Sequence, residues 1–334
     1  MKQILSLAAA AMLAAGGALA DTAISFSNDW KWEGPSAPLL LALDKGYYAD
    51  EGLDVTMDTG NGSLEAIPRV ASGTYQLGAS DINSLIKFRD QNPDLKVTAI
   101  FMIYNKPPFA IVGRKSLGVS APKDLEGRIL GAPAPDGAYA QWKAFVKANG
   151  IDASKVTIEN VGFPVREPML AQGKVDAITG FSFSSFINLK ANGVPEDDIS
   201  TILMADHGLD LYGNVILVNP EFAARNPEAV KAFLKATVKG FQDTYTDPEA
   251  AVKFVMAHND VAREPVELER LKMAMDQNIF TDEVKANGIG GVDMARLERS
   301  IDQIADTYDF TTRPTAAEVF DASFLPDPSE RAVP

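Results

Sequence analysis

Short runs in which apolar and polar residues alternate take turns, along the first half of the chain, with longer runs in which apolar residues recur every three to four positions. The alternation over 23–27 (Ala-Ile-Ser-Phe-Ser) predicts a strand that ends in the polar and aromatic segment 28–33. Helical spacing follows Pro35 and runs toward Gly46 as a stop signal. A second strand is predicted over 53–57. Gly60-Asn61-Gly62-Ser63 then turns into a helix reaching Ser72, whose start Pro68 leaves open, because proline is tolerated only in a first helical turn. Residues 76–79 make a third short strand, and Ser80-Asp81 leads into a helix over 82–91. Strand, turn and helix in this order write a parallel sheet.

A second cycle follows the strand predicted over 96–104, where Asn105-Lys106-Pro107-Pro108 breaks the pattern. Extended residues at 109–112, a strand at 130–132, a helix over 138–149, a strand at 156–161, a short helix at 168–172 and a strand at 175–179 complete it. The last strand runs into Gly180-Phe181-Ser182-Phe183-Ser184-Ser185. The extended segment 211–218 carries the chain back toward the first unit, and helices dominate from there. Val230, Phe233, Leu234, Val238, Phe241 and Tyr245 make one apolar helix face, and further helices are predicted over 250–257, 264–277 and 292–308. The organisation is therefore read as 21–108 and 212–334 forming one lobe and 109–211 another. No short period repeats, so a solenoid is excluded.

At the amino end Lys2 precedes an apolar stretch from Ile4 to Ala15 and the small residues Ala18-Leu19-Ala20. This layout predicts a signal peptide over 1–20, cleaved before Asp21. The stretch is interrupted by Gly16-Gly17, short of the roughly 20 apolar residues that span a bilayer. The chain has no cysteine, which removes lipid attachment, disulfides, thiolate metal sites and cysteine nucleophiles together. Its 334 residues, 46% hydrophobic and 23% charged, suffice for a large core, so stability rests on packing. With 45 acidic against 31 basic residues the net charge is −14, a field that repels nucleic acid and anionic lipid.

Several segments carry a family pattern in a specific order. Ala37-Pro38-Leu39-Leu40-Leu41-Ala42, Lys45-Gly46-Tyr47-Tyr48 and Glu51-Gly52-Leu53-Asp54-Val55 come first. Ala71-Ser72-Gly73, Pro122-Lys123-Asp124-Leu125-Glu126-Gly127, Gln172-Gly173-Lys174-Val175-Asp176-Ala177 and Asn219-Pro220-Glu221-Phe222 follow. From 24 to 309 the sequence resembles the periplasmic binding proteins of nitrate, taurine and alkanesulfonate importers, a family that includes the thiamine-pyrimidine precursor binders (NMT1/THI5-like). The resemblance implies an α/β, type II periplasmic-binding fold. It has two α/β lobes joined by two crossover strands, and a helical carboxyl-terminal part packed on the first lobe. It further implies a ligand in the interlobe cleft, an ABC permease and its ATPase as partners, a periplasmic location and no cofactor. A two-lobe clamp completes its own site, so a monomer is expected.

Ligands in such folds meet the carboxyl ends of strands and the amino ends of the following helices, where free N–H groups point outward. By that rule the first strand delivers Asp29, Trp30, Lys31 and Trp32, and the tryptophan pair is placed to sandwich a flat solute; the rival reading is lobe packing. The second strand delivers Asn61 and Ser63, and the third Ser80 and Asp81, for which helix capping is the competing role. The second lobe contributes Asp136, Gly137 and Tyr139, then Phe181, Phe183 and Ser184, with burial beneath the cleft as the alternative for the phenylalanines. Tyr212 and Asn214 stand where the return crossover passes the site, and Arg166 is either an anion partner or a solvated loop residue.

Parts for catalysis are missing from the sequence. His207 and His258 are the only histidines and lie far from metal-ligand spacing. There is no Gly-x-Ser-x-Gly elbow, and Gly60-Asn61-Gly62-Ser63 lacks the Lys-Ser/Thr of a phosphate loop. The pyrimidine-forming enzyme of the same broad family carries a cysteine-rich motif that is absent here. A cleft of Trp, Phe, Tyr, Ser, Asn and Asp suits a neutral or weakly cationic aromatic or heteroaromatic solute; Lys31, Lys106 and Arg166 are the grounds for the alternative, an anion. Intact-mass spectrometry of the exported protein is expected to give a chain that begins at Asp21, and a mass that includes 1–20 would refute the export reading.

Overall fold

The structure, a computed structural model, describes residues 21–334; the predicted signal peptide lies outside the described residues. Ten strands are seen among them: β1 (Thr22–Ser27), β2 (Leu53–Asp58), β3 (Leu77–Asp81), β4 (Thr98–Met102), β5 (Phe109–Arg114), β6 (Ile129–Gly131), β7 (Thr157–Glu159), β8 (Ala177–Phe181), β9 (Ile199–Leu203) and β10 (Asn214–Val218). They form two five-stranded sheets, ordered β2-β1-β3-β10-β4 and β7-β6-β8-β5-β9. Each sheet has a parallel trio, β2-β1-β3 or β7-β6-β8. Each also has one strand running against both of its neighbours, β10 between β3 and β4, and β5 between β8 and β9.

That antiparallel strand is, in both lobes, the first one reached after the chain changes sheet. The two crossings lie side by side: Ile103 and Tyr104 donate backbone N–H bonds to the Asn214 carbonyl at 2.8 and 3.0 Å, and Gly213 donates to the Tyr104 carbonyl at 2.9 Å. All five residues of β10 are buried, as an unbroken Val215-Ile216-Leu217-Val218 run requires of a strand covered on both faces.

The long helix Pro227–Thr246 lies against Ala37–Asp44 and presents the predicted face, with Val230, Phe233, Leu234, Val238 and Phe241 buried. Tyr48 stacks on Phe233 at 4.7 Å between ring centroids, Phe233 lies 5.9 Å from Phe26, and the Tyr48 hydroxyl pairs with Thr237 at 3.0 Å. Gly240 lets the two helices approach: a Cβ there would run into the Pro38 carbonyl oxygen.

Several elements differ from expectation, among them β9 and the helix Asp282–Asn287, which the sequence reading does not anticipate. The short helix expected over 168–172 is a nine-residue helix, Phe163–Ala171, with Pro164 in its first turn and Pro168 inside it; burial of Arg166, Glu167 and Leu170 holds it against the proline. Residues 182–185, read as the end of a strand, begin the helix Ser182–Ala191, and no side chain caps its start, so no cap marks it in sequence. The helix expected over 138–149 is two pieces, Gly137–Ala140 and Trp142–Asn149. Among the described residues no helix is long and apolar enough to cross a membrane.

Replacing Gly240 by alanine tests the helix contact. Helix propensity alone favours alanine by about 1 kcal/mol, whereas overpacking costs about 1–3 kcal/mol. Chemical denaturation is expected to show a net loss of stability; a gain would mean the helices yield without cost.

Candidate functional site

A cavity of about 770 Å³, its mouth included, lies between the two sheets. The end of β1 contributes Asn28 to Lys31, the turn after β2 contributes Gly62 and Ser63, the end of β8 contributes Phe181, and Asn214 opens β10. Both lobes supply aromatic walls. Trp30 meets Phe163 edge-on at 4.5 Å, and Tyr104 of the first crossing packs with Phe181 at 6.2 Å and Phe183 at 5.8 Å. Offset and edge-on rings leave faces on which a flat solute can stack.

The charged groups around the cavity are unequally served. Arg166 is buried; its Nε and Nη2 donate to Glu167 Oε1 at 3.0 and 2.6 Å, and Nη1 lies 3.9 Å from Asp136 Oδ2. Arg270 is buried too, bridging Glu33 at 3.0 Å and Glu267 at 3.1 Å. Each guanidinium thus sits between two carboxylates. Asp29, only 8% exposed, pairs with no cation among the described residues: the Ser63 hydroxyl at 3.2 Å and the Asn214 amide both donate to its Oδ2. The backbone N–H of Asp29 bonds its own carboxylate as well, and the buried Asn214 Oδ1 has no partner among the described residues. Burial pushes the Asp29 carboxyl up to about 6, against the hydrogen bonds from Asn214 and Ser63. Asp81 is likewise raised to about 6 by burial, and burial raises Asp136 while Arg166 opposes it.

Contacts across the mouth hold the lobes together. Ser184 Oγ donates to Glu33 Oε2 at 2.8 Å, and Arg270 Nη2 donates to Asn188 Oδ1 at 3.2 Å. At the crossing side Gln141 Nε2 donates to Asp81 Oδ2 at 2.9 Å.

Of the residues singled out in the sequence, Trp30, Ser63, Asp136, Phe181, Phe183, Ser184 and Asn214 line the cavity together. Trp32 does not: its ring is in the first-lobe core and its carbonyl accepts from Asn259 Nδ2 at 2.7 Å, so the tryptophan sandwich reduces to one ring. Asn61 is exposed outside the cavity, and its backbone N–H donates to Glu65. Ser80 is fully buried and donates to the Ser63 carbonyl, while Asp81 caps the helix Ile82–Gln91 through Asn83 and Ser84. Tyr139 is half-buried and off the lining. Tyr212 is turned to Glu283 at 2.6 Å, and Lys106 pairs with Asp206 at 2.7 Å, both away from the cavity. Arg166 is neither a loop residue nor free for an anion. Sequence reasoning missed Glu33, Tyr104 and Phe163. Phe163 was hidden by the helix start placed at 168; Tyr104 was assigned wholly to the strand before the crossing.

The family model described as NMT1/THI5 like matches residues 34–251. The chain belongs to the NMT1/THI5-like family. Among relatives of this NMT1/THI5-like chain, the formylaminopyrimidine-binding protein of Halalkalibacterium halodurans is 28% identical over 301 residues, 87% of this chain and 86% of that protein. The riboflavin-binding protein RibY of Chloroflexus aurantiacus is 28% identical over 218 residues; the match spans 64% of this chain and only 60% of RibY. A 4-amino-5-hydroxymethyl-2-methylpyrimidine phosphate synthase of Aspergillus parasiticus is 25% identical over 252 residues, 73% of this chain and 72% of the synthase. Among solved structures, the nitrate-binding protein NrtA of Synechocystis PCC 6803 superposes with a TM-score of 0.69 at 12% identity, over 91% of this chain and 87% of NrtA. The alkanesulfonate-binding protein SsuA of Xanthomonas axonopodis pv. citri, bound to MOPS, superposes with a TM-score of 0.67 at 14% identity, over 91% of this chain and 98% of SsuA. At these identities the superpositions establish the fold, that of the periplasmic binding proteins.

The raised Asp29 carboxyl has a measurable consequence for the NMT1/THI5-like chain without ligand. An acid whose folded pKa of about 6 exceeds its ordinary 3.8 binds more protons folded than unfolded between those values, so it costs stability as pH rises through that window. Asp29→Asn keeps an acceptor for Ser63 and Asn214 and removes the cost. Its stability relative to wild type is expected to climb between pH 4 and pH 6 by up to about 3 kcal/mol and to stay level outside the window. A difference that does not vary with pH would show that Asp29 is not held neutral by burial.

Proposed function

We propose that this chain is the solute-binding component of an ABC importer. It works in the periplasm as a monomer, closes its lobes on a flat, neutral or weakly cationic heteroaromatic solute of pyrimidine type, and hands it to an inner-membrane permease driven by an ATPase. The observation that carries the reading is the buried, unpartnered Asn214 Oδ1 beside an Asp29 carboxylate that meets no cation among the described residues, the two set between aromatic walls. A solute with an amino group or a protonated ring nitrogen satisfies both, and its ring stacks on Trp30. Such pairing offsets the burial of an otherwise uncompensated carboxylate, the condition under which a charge-assisted hydrogen bond is strongest.

The riboflavin-binding and formylaminopyrimidine-binding relatives point to heteroaromatic rings, and the fold is one used for capture. The synthase relative raises an enzymatic reading; against it stand a sequence without cysteine and the position of both histidines, His207 and His258, off the cavity lining. An anion is disfavoured because Arg166 is already held by Glu167 and Asp136.

Mass spectrometry of the molecule that co-purifies from the periplasm is expected to identify the solute. That solute should raise the melting temperature by mass action and alter tryptophan emission through Trp30, since Trp32 is in the core and Trp142 lies off the cavity lining. Trp30→Ala is expected to weaken binding by more than roughly tenfold. Normal affinity in a folded Trp30→Ala protein would rule out the stacking role, and a panel of pyrimidines and flavins that leaves the melting temperature unmoved would rule out this ligand class.

A further inference from the structure

The second-lobe wall contains a guanidinium built into the fold. Arg166 stands on the helix Phe163–Ala171, with its Cζ 5.3 Å from the centre of the Phe163 ring. Gly180 of β8 makes room behind it: a Cβ there would collide with the Ser185 hydroxyl and lie 3.2 Å from Arg166 Cζ. Ser185 Oγ accepts from Arg166 Nη2 at 3.2 Å and donates to Glu167 Oε1 at 3.0 Å, so Glu167 takes three hydrogen bonds on one oxygen. Asp136 closes the far side and is itself fixed by Thr179 at 2.7 Å. Lys31 and Arg166 are the cations among the described lining residues, and Lys31 is exposed, 5.5 Å from the Trp30 ring centre.

We propose that Glu167 is a specificity-determining residue of the cavity: by binding Arg166 edge-on it denies anionic solutes the one buried cation in the lining, and so biases the site toward donor-bearing rings. The inference rests on the reading of the cavity as a solute site. A buried guanidinium facing a cavity is by itself an anion receptor. Here Glu167 occupies Nε and Nη2, the fork edge that a sulfonate or carboxylate would grip, and Asp136 sets negative charge beside the remaining nitrogen. Discrimination thus comes from repelling the wrong class as well as from attracting the right one. Glu167 sits behind the wall and acts through Arg166, which is why it is absent from the lining.

The test uses benzenesulfonate and benzamidine, flat probes of opposite charge, titrated calorimetrically into the full exported chain. Wild type is expected to bind benzamidine and to bind benzenesulfonate weakly or not at all. Glu167→Gln keeps the shape and removes the charge; it is expected to gain at least roughly tenfold in benzenesulfonate affinity, and Arg166→Met in that background should abolish the gain. Glu167→Asp keeps the charge and shortens the reach, and should gain less. Equal gains in the two Glu167 variants would overturn the charge account. Benzenesulfonate bound by wild type as tightly as benzamidine would overturn it without any variant. A wild type blind to both probes beside a Glu167→Gln protein that gains benzenesulfonate supports the role of Glu167 and removes the donor-ring reading. A wild type that binds benzamidine beside a folded Glu167→Gln protein blind to benzenesulfonate removes the role of Glu167 alone.

Discussion

The insertion of β10 between β3 and β4 is the contact on which the architecture depends. Without it the first sheet would separate into the parallel trio and a lone β4, and the chain leaving the second lobe would have no anchor. Its ladder partners flank it, Ser80 and Ala79 of β3 on one side and Met102 and Phe101 of β4 on the other. Closing that sheet joins residues more than a hundred positions apart in sequence, a loop-closure cost that only a fully buried apolar strand offsets. The same strand begins with Asn214, so the element that completes the fold also sets one wall of the cavity.

Charge around the cavity follows one rule with two exceptions, Asp29 and Asp81. Arg166 and Arg270 each stand between two carboxylates, the arrangement by which buried charge becomes tolerable. Asp29 is buried among neutral donors and is displaced toward its protonated form. Ion pairs explain the two arginines as structure. Asp81 caps Ile82–Gln91, and Asp29 joins the turn after β2 to the start of β10 through Ser63 and Asn214.

Much of the fold was legible because its signals are local. Asp81 caps Ile82–Gln91 with its own carboxylate, and that helix was read to the residue; the apolar face from Val230 to Phe241 is likewise buried as its spacing required. Signals failed where tertiary contacts overrule local chemistry. Nothing caps Ser182–Ala191, and Pro168 sits inside a helix that packing sustains. Site residues failed for a related reason. Trp30 and Trp32 are two apart in sequence, yet the turn Gly34–Ser36 and the bond from Asn259 send the second ring into the core. Arg166 and Glu167 are helix neighbours, a spacing that does not ordinarily bring side chains face to face, and only the Ser185 hydroxyl and the open backbone of Gly180 gather them.

The paired crossings have a mechanical consequence. Because Ile103, Tyr104, Gly213 and Asn214 are hydrogen-bonded to one another, the two connections form a single two-stranded ribbon. The two connections thus meet as hydrogen-bonded backbone and are not two independent linkers. Asn214 belongs to that ribbon through its carbonyl and to the cavity through its amide on Asp29. A molecule held by Asp29 would therefore meet the hydrogen-bond partner of the residue on which both connections converge.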